Sequence, residues 1–157
     1  MEPIITIHRT RYDDPAFKSL TRELDADLRA RYLTEQDKFD PLNKMDESVK
    51  VVLACNGPTP IGCGALRPLE EEKTIELKRM YVQPAFRGRG ISRRVMEELE
   101  QWAAEAGYHF IRLETGNKQP EAIGLYTRHG YQLIPAYGVY RHIDTSICME
   151  KKLVTRS

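Results

Sequence analysis

The sequence has 157 residues, the length of one ordinary domain, and carries 24 Lys and Arg against 23 Asp and Glu. Because the basic and acidic residues nearly balance, the net charge gives no reason to expect binding to nucleic acid or to a membrane surface. No apolar run approaches the roughly 20 residues of a membrane span. Cys55, Cys63 and Cys148 have no CxxC spacing and lie in strand-like runs, which favours buried thiols over disulfides or a metal site. No signal peptide is recognisable, so we expect a soluble cytoplasmic protein.

The first segment predicts a strand followed by a helix. Residues 3–9 alternate enough to form a strand. Asp13-Asp14-Pro15 then supplies an N-cap with proline at the first helical position, for a helix that ends near Arg31. The apolar residues of this helix share one face, at Phe17, Leu20, Leu24 and Leu28.

The next segment predicts a loop and a β-hairpin. Residues 32–48 are polar and broken by a proline, which indicates a loop with one short helix at 34–39. Two strand-like runs at 49–55 and 61–68 flank an Asn-Gly-Pro turn and predict the hairpin. Two glycines in the second run indicate close packing or a bulge.

The centre of the chain predicts a strand, a glycine loop and a helix in succession. Residues 74–82 are rich in β-branched and long side chains, and residues 83–90 contain one proline and two glycines. From Ile91 the apolar residues form the stripe of an amphipathic helix that Gly107 ends: Ile91, Val95, Leu99, Trp102 and Ala106. The first N–H groups of a helix lack partners and its dipole is positive there, so this loop suits an anion such as a phosphate.

The last third of the chain predicts three strands and a short helix. Its elements are a strand at 109–115, a helix at 120–129, and strands at 131–134 and 146–152 separated by an aromatic loop at 135–144. The strand at 109–115 follows a helix, so we expect it to lie parallel to 74–82 through a right-handed crossover. The whole order predicts an α/β fold: a mixed, mostly antiparallel sheet with a central parallel strand pair flanked by helices.

Two motifs resemble those of one enzyme family. Residues 87–92, Arg-Gly-Arg-Gly-Ile-Ser, follow the pattern Arg/Gln-x-x-Gly-x-Gly/Ala and resemble the acetyl-CoA-binding motif of the GNAT N-acetyltransferase family, with Ser92 where Gly or Ala is usual. Residues 119–131 resemble the family's second signature, Asn-x-x-Ala-x-x-Leu/Phe-Tyr-x-x-x-Gly-Phe/Tyr, with Gln119 where Asn is common. The matching positions of that signature are Ala122, Leu125, Tyr126, Gly130 and Tyr131.

The resemblance implies a single GNAT-like acetyltransferase domain over residues 1–157, with acetyl-CoA as the acyl donor and no metal. Backbone N–H groups of residues 87–92 would hold the CoA pyrophosphate, the pantetheine arm would pair with the main chain at 80–82, and Tyr126 would face the thioester sulfur as the acid. A backbone N–H at 80–82 would polarise the thioester carbonyl. The implied cofactor-binding residues are Met80, Tyr81, Val82, Arg87, Gly88, Arg89, Gly90, Ile91, Ser92, Gln119 and Tyr126.

The catalytic base is open between three options. An amine with a pKa near ~10.4 must lose a proton before it attacks, so the reaction needs a proton acceptor. In histone-acetylating members of the family a catalytic glutamate occupies the position of Glu76, which is our first choice beside Tyr126. Glu76 could instead be an edge or surface carboxylate paired with Lys78 or Arg112; Glu114 on the neighbouring strand is the second option, and a water chain is the third.

Other reactive side chains have simpler explanations. Cys63 has no His and carboxylate placed to activate it, so we expect it to pack in the core. The histidines lack ligand spacing, which is against a zinc site. Tyr137, Tyr140 and His142 in the aromatic loop either line an acceptor pocket, which we favour slightly, or cover the core.

The predicted function is direct transfer of acetyl from acetyl-CoA to a primary amine in a ternary complex. The acceptor is a small-molecule or peptide amine, and we favour the small molecule. One alternative is a non-catalytic acyl-CoA-binding sensor, and another is a nucleic-acid-binding regulator, for which the sequence has only an arginine cluster and no motif. The sequence leaves the oligomeric state open, with a homodimer among the options.

Overall fold

A computed structural model describes residues 4–32 and 45–153. Within these ranges the elements are β1 (Ile5–Arg11), α1 (Pro15–Tyr32), β2 (Lys50–Asn56), β3 (Thr59–Pro68), β4 (Thr74–Val82), α2 (Ile91–Glu105), β5 (Phe110–Gly116), α3 (Pro120–Arg128), β6 (Gln132–Ile134) and β7 (Ser146–Lys152). Two short 3-10 helices occupy Pro84–Phe86 and Gly138–His142. The element order agrees with the predicted one, and the short helix expected at 34–39 lies outside the described residues.

The strands form one sheet in the order β1-β2-β3-β4-β5-β7-β6. Every neighbouring pair is antiparallel except β4 and β5, which are parallel and joined through α2. The expected α/β fold, with a mostly antiparallel sheet and one central parallel pair, is therefore confirmed. None of the helices in the described ranges is long and apolar enough to cross a membrane.

The parallel pair separates halfway along its length. Its register runs only from Thr74 opposite Phe110 to Leu77 opposite Leu113. Beyond that point β4 stays paired with β3, and β5 stays paired with β7. The second half of β4 and the end of β5 therefore leave a gap between them within the sheet.

Helices cover both faces of the sheet. On one face α2 and α3 pack on a core that includes Ile75, Leu77, Ile91, Val95, Met96, Leu99, Ile111 and Tyr126. On the other face α1 packs on a second core that includes Phe17, Leu20, Leu24, Val51, Cys63, Ala65 and Tyr81. Apolar area removed from water stabilises such packing by about 25 cal/mol per Å². The gap between β4 and β5 thus lies between two packed helical layers.

The expected irregularity in the second hairpin strand is a bulge against β4. Cys63 lies opposite Tyr81 and Ala65 opposite Lys78, so one residue of β3, Gly64, faces two residues of β4. One of these two, Arg79, has φ +60°, which is unusual for a residue with a side chain. A Cβ on Gly64 would lie 2.5 Å from Met80 Sδ and 2.8 Å from Leu99 Cδ1, so a larger residue here would have to displace these side chains.

The N-terminus of α1 is capped as predicted, and α1 is tied to the bulged part of β4. Asp14 Oδ1 accepts a hydrogen bond from the Ala16 N–H at 2.8 Å. Further along, Arg79 Nη2 lies 2.9 Å from Asp25 Oδ1, and the Tyr81 hydroxyl donates to Glu23 at 3.2 Å. These contacts hold α1 beside the gap in the sheet.

The predicted stripe of α2 is correct for its first four residues and wrong for Ala106. Ile91, Val95 and Leu99 are buried, the half-buried Trp102 packs against the same core, and Ala106 lies beyond the end of the helix, exposed. The remaining buried positions of α2 are Met96 and Ala103. Trp102 also lies beneath two cations, Arg9 at 4.9 Å and Lys50 at 5.6 Å from its ring centroid.

Candidate functional site

Two connected cavities occupy the gap between β4 and β5. The outer cavity, of about 590 Å³, reaches the glycine loop before α2. The inner cavity, of about 120 Å³, lies between the separated strands beneath α1. Both are lined by Leu24, Met80, Gln119, Ala122 and Tyr126, so they form one continuous cleft.

The outer cavity ends at the N-terminus of α2, where the backbone is free to bind an anion. Gly88 and Gly90 have φ of +78° and +74°, and a Cβ at either position would meet nothing within 4 Å. Gly90 is the N-cap of α2, which has no side-chain cap and no acidic residue in its first turn. Uncapped N–H groups and a positive helix dipole suit a diphosphate. The loop therefore fits the phosphate end of a CoA molecule.

Each predicted cofactor-binding residue except Arg89 lines the outer cavity. Arg89 stands between the two glycines, and its guanidinium lies 5.5 Å from the centroid of the Phe86 ring. Arg87 turns back instead: its Nε donates to the Val82 carbonyl at 2.8 Å, and its guanidinium lies 5.7 Å from the Tyr81 ring centroid. The Arg87 side chain therefore holds the loop against the end of β4.

The end of β4 presents main-chain groups to the cleft. The Gln83 N–H donates to the Ile61 carbonyl of β3 at 2.9 Å. Because successive residues of a strand direct their N–H and C=O groups to opposite sides, Val82 and Met80 direct theirs away from β3. Arg87 already occupies the Val82 carbonyl. Pairing of a pantetheine arm with residues 80–82 stays a prediction.

Tyr126 lies where the outer and inner cavities meet. Its side chain is 7% exposed and packs edge-on against Tyr131, with ring centroids 5.8 Å apart. Within the described ranges its hydroxyl makes no hydrogen bond to another residue, so it is available to a ligand. Burial, and to a lesser extent the nearby Glu114, raise the pKa of Tyr126 well above its ordinary value. The phenol therefore keeps its proton at neutral pH.

Gln119 is turned towards the protein. Its Oε1 accepts from the Gly116 N–H at 3.2 Å and from the Thr115 hydroxyl at 3.4 Å, and so closes the turn between β5 and α3. The residue lines both cavities. Its predicted hydrogen bond to the cofactor stays a prediction, since part of the amide is already engaged.

Glu114 is the carboxylate that lines the inner cavity. The Ser146 hydroxyl donates to Glu114 Oε2 at 2.5 Å. Burial raises the pKa of Glu114, while the Ser146 hydrogen bond and the charge of Lys78 oppose that rise. A carboxylate with a raised pKa is a stronger base than one in water, so Glu114 is suited to accept a proton from an amine.

Glu76 is buried beside the cleft and lines neither cavity. Its side chain is 1% exposed, and it accepts from the Tyr137 hydroxyl at 2.6 Å and from Arg67 at 3.1 Å. Lys78 Nζ lies 3.6 Å from Glu76 Oε1. The pairing with Lys78 is as expected, whereas Arg112 pairs with Glu150 at 2.7 Å. A role for Glu76 as the base stays a prediction.

Lys78 and Tyr140 form the wall of the inner cavity opposite Glu114. The Lys78 side chain is 9% exposed, and its Nζ donates to the Tyr140 hydroxyl at 2.9 Å. Burial lowers the pKa of Lys78, opposed by the charge of Glu76. Of the three residues expected from the aromatic loop, Tyr140 lines the cavity, Tyr137 binds Glu76, and His142 is exposed.

Cys63 is a packed thiol. It is fully buried, its Sγ donates to the Arg79 carbonyl at 3.3 Å, and burial raises its pKa to about 12. Such a thiol is almost entirely protonated at neutral pH, so the expected packing role is confirmed. Within residues 4–32 and 45–153, no three His, Cys, Asp or Glu side chains are grouped so that they could hold a metal ion.

Several lining residues were not among the predicted site residues. Those of the inner cavity include Leu28, Lys78, Arg79, Thr115 and Gly116, and those of the outer cavity include Phe86, Arg128 and His129. The separation of β4 from β5 and the end of α3 bring them to the cleft, and neither feature leaves a residue pattern. For Arg93, which also lines the outer cavity, the arginine cluster at the helix entry was a usable signal.

Comparisons with known proteins agree with this geometry. The acetyltransferase (GNAT) family model matches residues 14–131. An IAA acetyltransferase of Azospirillum brasilense is 35% identical over 152 residues, covering 96% of this chain and 99% of that protein. YjgM, an uncharacterized N-acetyltransferase of Escherichia coli, is 30% identical over 156 residues, covering 92% of this chain and 92% of that protein.

Solved structures share the fold along nearly the whole chain. A Klebsiella pneumoniae protein assigned to the acyl-CoA N-acyltransferases has a TM-score of 0.80 and 34% identity, covering 96% of this chain and 99% of that one. The PaiA N-acetyltransferase of Thermoplasma acidophilum, solved with coenzyme A, has a TM-score of 0.70 at 18% identity, covering 94% of this chain and 99% of that one.

The family model spans most of the chain, and the relatives match it almost from end to end. The glycine loop at the uncapped N-terminus of α2 and the cleft between β4 and β5 are the features that an acyl-CoA-dependent enzyme requires. The chain belongs to the GNAT family and is an acetyl-CoA-dependent acetyltransferase.

Proposed function

We propose that the protein transfers acetyl from acetyl-CoA to the primary amine of a small molecule, by direct attack in a ternary complex. The observation that carries this proposal is the continuous cleft with Tyr126 at its junction. The outer cavity has room for a long donor, and the inner cavity has room for a small acceptor. The similarity to a protein named as an IAA acetyltransferase supports a small acceptor over a peptide.

The residues of the outer cavity would hold the donor. The N–H groups at residues 88–92 would bind the diphosphate, since the Arg87 N–H donates to the Pro84 carbonyl at 3.3 Å, and the edge of β4 at 80–82 would align the pantetheine arm. Bound acetyl-CoA supplies an activated acyl group as a thioester. One backbone N–H at 80–82, aimed at the thioester oxygen, would stabilise the negative charge that develops there by about 3 kcal/mol.

We assign the base to Glu114 because its carboxylate reaches the inner cavity and burial raises its pKa. Glu114 takes one proton from the acceptor ammonium, which frees the nitrogen lone pair for attack on the acyl carbon. Glu76 is the alternative base, and it would have to act through Lys78, which lines the inner cavity and has its Nζ 3.6 Å from Glu76 Oε1. A water chain is the third option.

Tyr126 acts on the leaving group. As the new C–N bond forms and the C–S bond breaks, the sulfur gains negative charge. The ordinary pKa of a thiol, about 8.5, lies below the raised pKa of Tyr126, so the phenol first stabilises the sulfur by a hydrogen bond. The second proton lost by the nitrogen then reaches the sulfur through the phenol, which gives its own proton to the sulfur as it takes up the one from the nitrogen, so Tyr126 is unchanged after the step.

The test is thiol release from acetyl-CoA with a panel of small amines and lysine-containing peptides. We expect turnover with at least one small amine, and mass spectrometry should find the product heavier by one acetyl group. CoA binding with no turnover on any amine would favour an acyl-CoA sensor, and turnover on peptides alone would favour a peptide acetyltransferase. The position of Tyr126 argues against the sensor, since binding alone needs no acid at the junction of the cavities.

A further inference from the structure

We propose that the acceptor is a zwitterionic amine, an α-amino acid or a close analogue, whose ammonium group pairs with Glu114 and whose carboxylate pairs with Lys78. This inference rests on the proposed function, because it names the acceptor of the same cleft. Both side chains line the inner cavity, one from each of the two separated strands.

The two charges face each other where the sheet opens. Leu77 and Leu113 are the last paired residues of β4 and β5, and Lys78 and Glu114 are the next residue of each strand. Within the described ranges no ion pair joins Lys78 to Glu114; Lys78 contacts Glu76 and Tyr140, and Glu114 contacts Ser146. A cation and an anion therefore stand on opposite walls of the cavity without closing on each other.

Lys78 keeps donor capacity for a ligand. An ammonium group has three N–H donors. The Tyr140 hydroxyl accepts one at 2.9 Å, and the Glu76 carboxylate lies 3.6 Å away. Glu76 also accepts from Arg67 at 3.1 Å and from the Tyr137 hydroxyl, so Lys78 does not have this carboxylate to itself. The remaining N–H donors of Lys78 can therefore bind the carboxylate of an acceptor.

Desolvation makes a ligand with one charge a poor fit. Burial disfavours the charged forms of both Lys78 and Glu114. A simple amine would satisfy Glu114 and displace water from a Lys78 ammonium that gains nothing in return. An α-amino acid supplies an ammonium group for Glu114 and, on the same carbon atom, a carboxylate for Lys78. The rest of the wall includes Leu24, Leu28 and Leu77, so an apolar side chain fits the remaining space.

The experiment compares matched acceptors under saturating acetyl-CoA. Leucine, methionine and phenylalanine are each assayed beside the corresponding amide, which keeps the amine and side chain and lacks the carboxylate. We expect kcat/KM for the best acid to exceed that of its amide by about 10²-fold or more, as sites that bind a polar group reject analogues without it. The lower pKa of an amide's amine works in the opposite direction, so the comparison is conservative.

Lys78→Met separates recognition from folding. We expect it to lower kcat/KM for the acid by about 10²-fold while leaving the amide within about threefold, because only the acid loses a partner. Lys78→Arg should recover part of the preference for the acid, and Lys152→Met, an exposed lysine of β7, is the matched control that should change neither substrate. Should Lys78→Met fail to fold, the proposal is decided by the wild-type enzyme, from the ratio of kcat/KM for the acid to kcat/KM for its amide.

The outcomes separate the two proposals. Equal turnover of acids and amides, or an equal loss of both in Lys78→Met, would overturn the zwitterion proposal and leave the transferase proposal standing. If CoA binds and no amine is acetylated, with or without a carboxylate, the proposed function itself is wrong.

Discussion

Tyr126 combines two properties: its ring is buried, and its hydroxyl has no hydrogen-bond partner in the described part of the chain. The ring is held by Tyr131, whose own hydroxyl donates to Glu100 at 2.9 Å. The two phenols are thus neighbours with different surroundings. We expect one to serve the reaction and the other to serve the fold.

Tyr126→Phe should lower kcat by about 10²-fold, because it removes the proton donor and keeps the ring. CoA affinity should stay within about threefold, measured by calorimetric titration. Tyr131→Phe is the matched control: it loses the hydrogen bond to Glu100, worth about 1 kcal/mol of unfolding free energy, and should leave kcat nearly unchanged. A wild-type kcat in Tyr126→Phe would rule out its role as the acid.

Glu114→Gln should slow the enzyme and stabilise the fold. The pKa of Glu114 is raised in the folded state. At pH values above this raised pKa, the buried ionised carboxylate lowers the free energy of unfolding. At pH values below the ordinary pKa of a glutamate, the carboxyl is protonated in both the folded and the unfolded state, so the cost disappears. We expect Tm to rise by about 2–4 °C at pH 8, and the gain to shrink to nothing as the pH falls towards 4. Thermal unfolding across this range measures it.

Two controls accompany the Glu114 measurement. Glu72→Gln removes an exposed carboxylate and should show no pH-dependent change in Tm. Glu76→Gln tests the alternative base: if it abolishes turnover and Glu114→Gln does not, the proton acceptor is Glu76. A Tm that is unchanged or lower in Glu114→Gln at pH 8 would contradict the desolvation cost.

The glycine loop before α2 is the element that we propose binds the diphosphate through its backbone. Gly90→Glu should abolish CoA binding, because a side chain and a negative charge would enter the space where the N–H groups point. Gly107→Glu is the matched control: Gly107 follows the other end of α2, also has positive φ, at +92°, and also has open space around its Cα. Both variants carry similar backbone strain, so only Gly90→Glu should lose affinity in calorimetric titration. Equal affinity in both would place the diphosphate elsewhere.

Elements with a strong local pattern could be predicted from the sequence, and contacts made by strand separation could not. The bounds of β4 and β7, the cap at Asp14 and the loop at 87–92 depend on propensity, turn residues and motif. The juxtaposition of Lys78 and Glu114 depends on where β4 leaves β5, which no local pattern encodes. The burial of Glu76 similarly required Arg67 from β3 and Tyr137 from the aromatic loop, each distant in sequence.

At the scale of the whole molecule, the split sheet predicts strong stabilisation by the donor. Residues 78–82 of β4 have no β5 partner, so a ligand that pairs with them completes the sheet. At a CoA concentration of about 100 times Kd, mass action adds about 2.7 kcal/mol, which should raise Tm by about 5–10 °C. Adenosine diphosphate at the same concentration keeps the diphosphate and lacks the pantetheine arm, so it should give a much smaller shift in the same calorimetric scan. A CoA shift no larger than that of adenosine diphosphate would show that the pantetheine arm does not pair with β4.

The gap in the sheet also decides how the two substrates meet. The outer cavity extends to the glycine loop and the start of α2, and the inner cavity lies between the separated strands β4 and β5. Because donor and acceptor would occupy different parts of one cleft, neither has to leave before the other binds. Initial-rate plots against each substrate should then intersect, as in sequential kinetics, whereas parallel lines would indicate an acetylated enzyme.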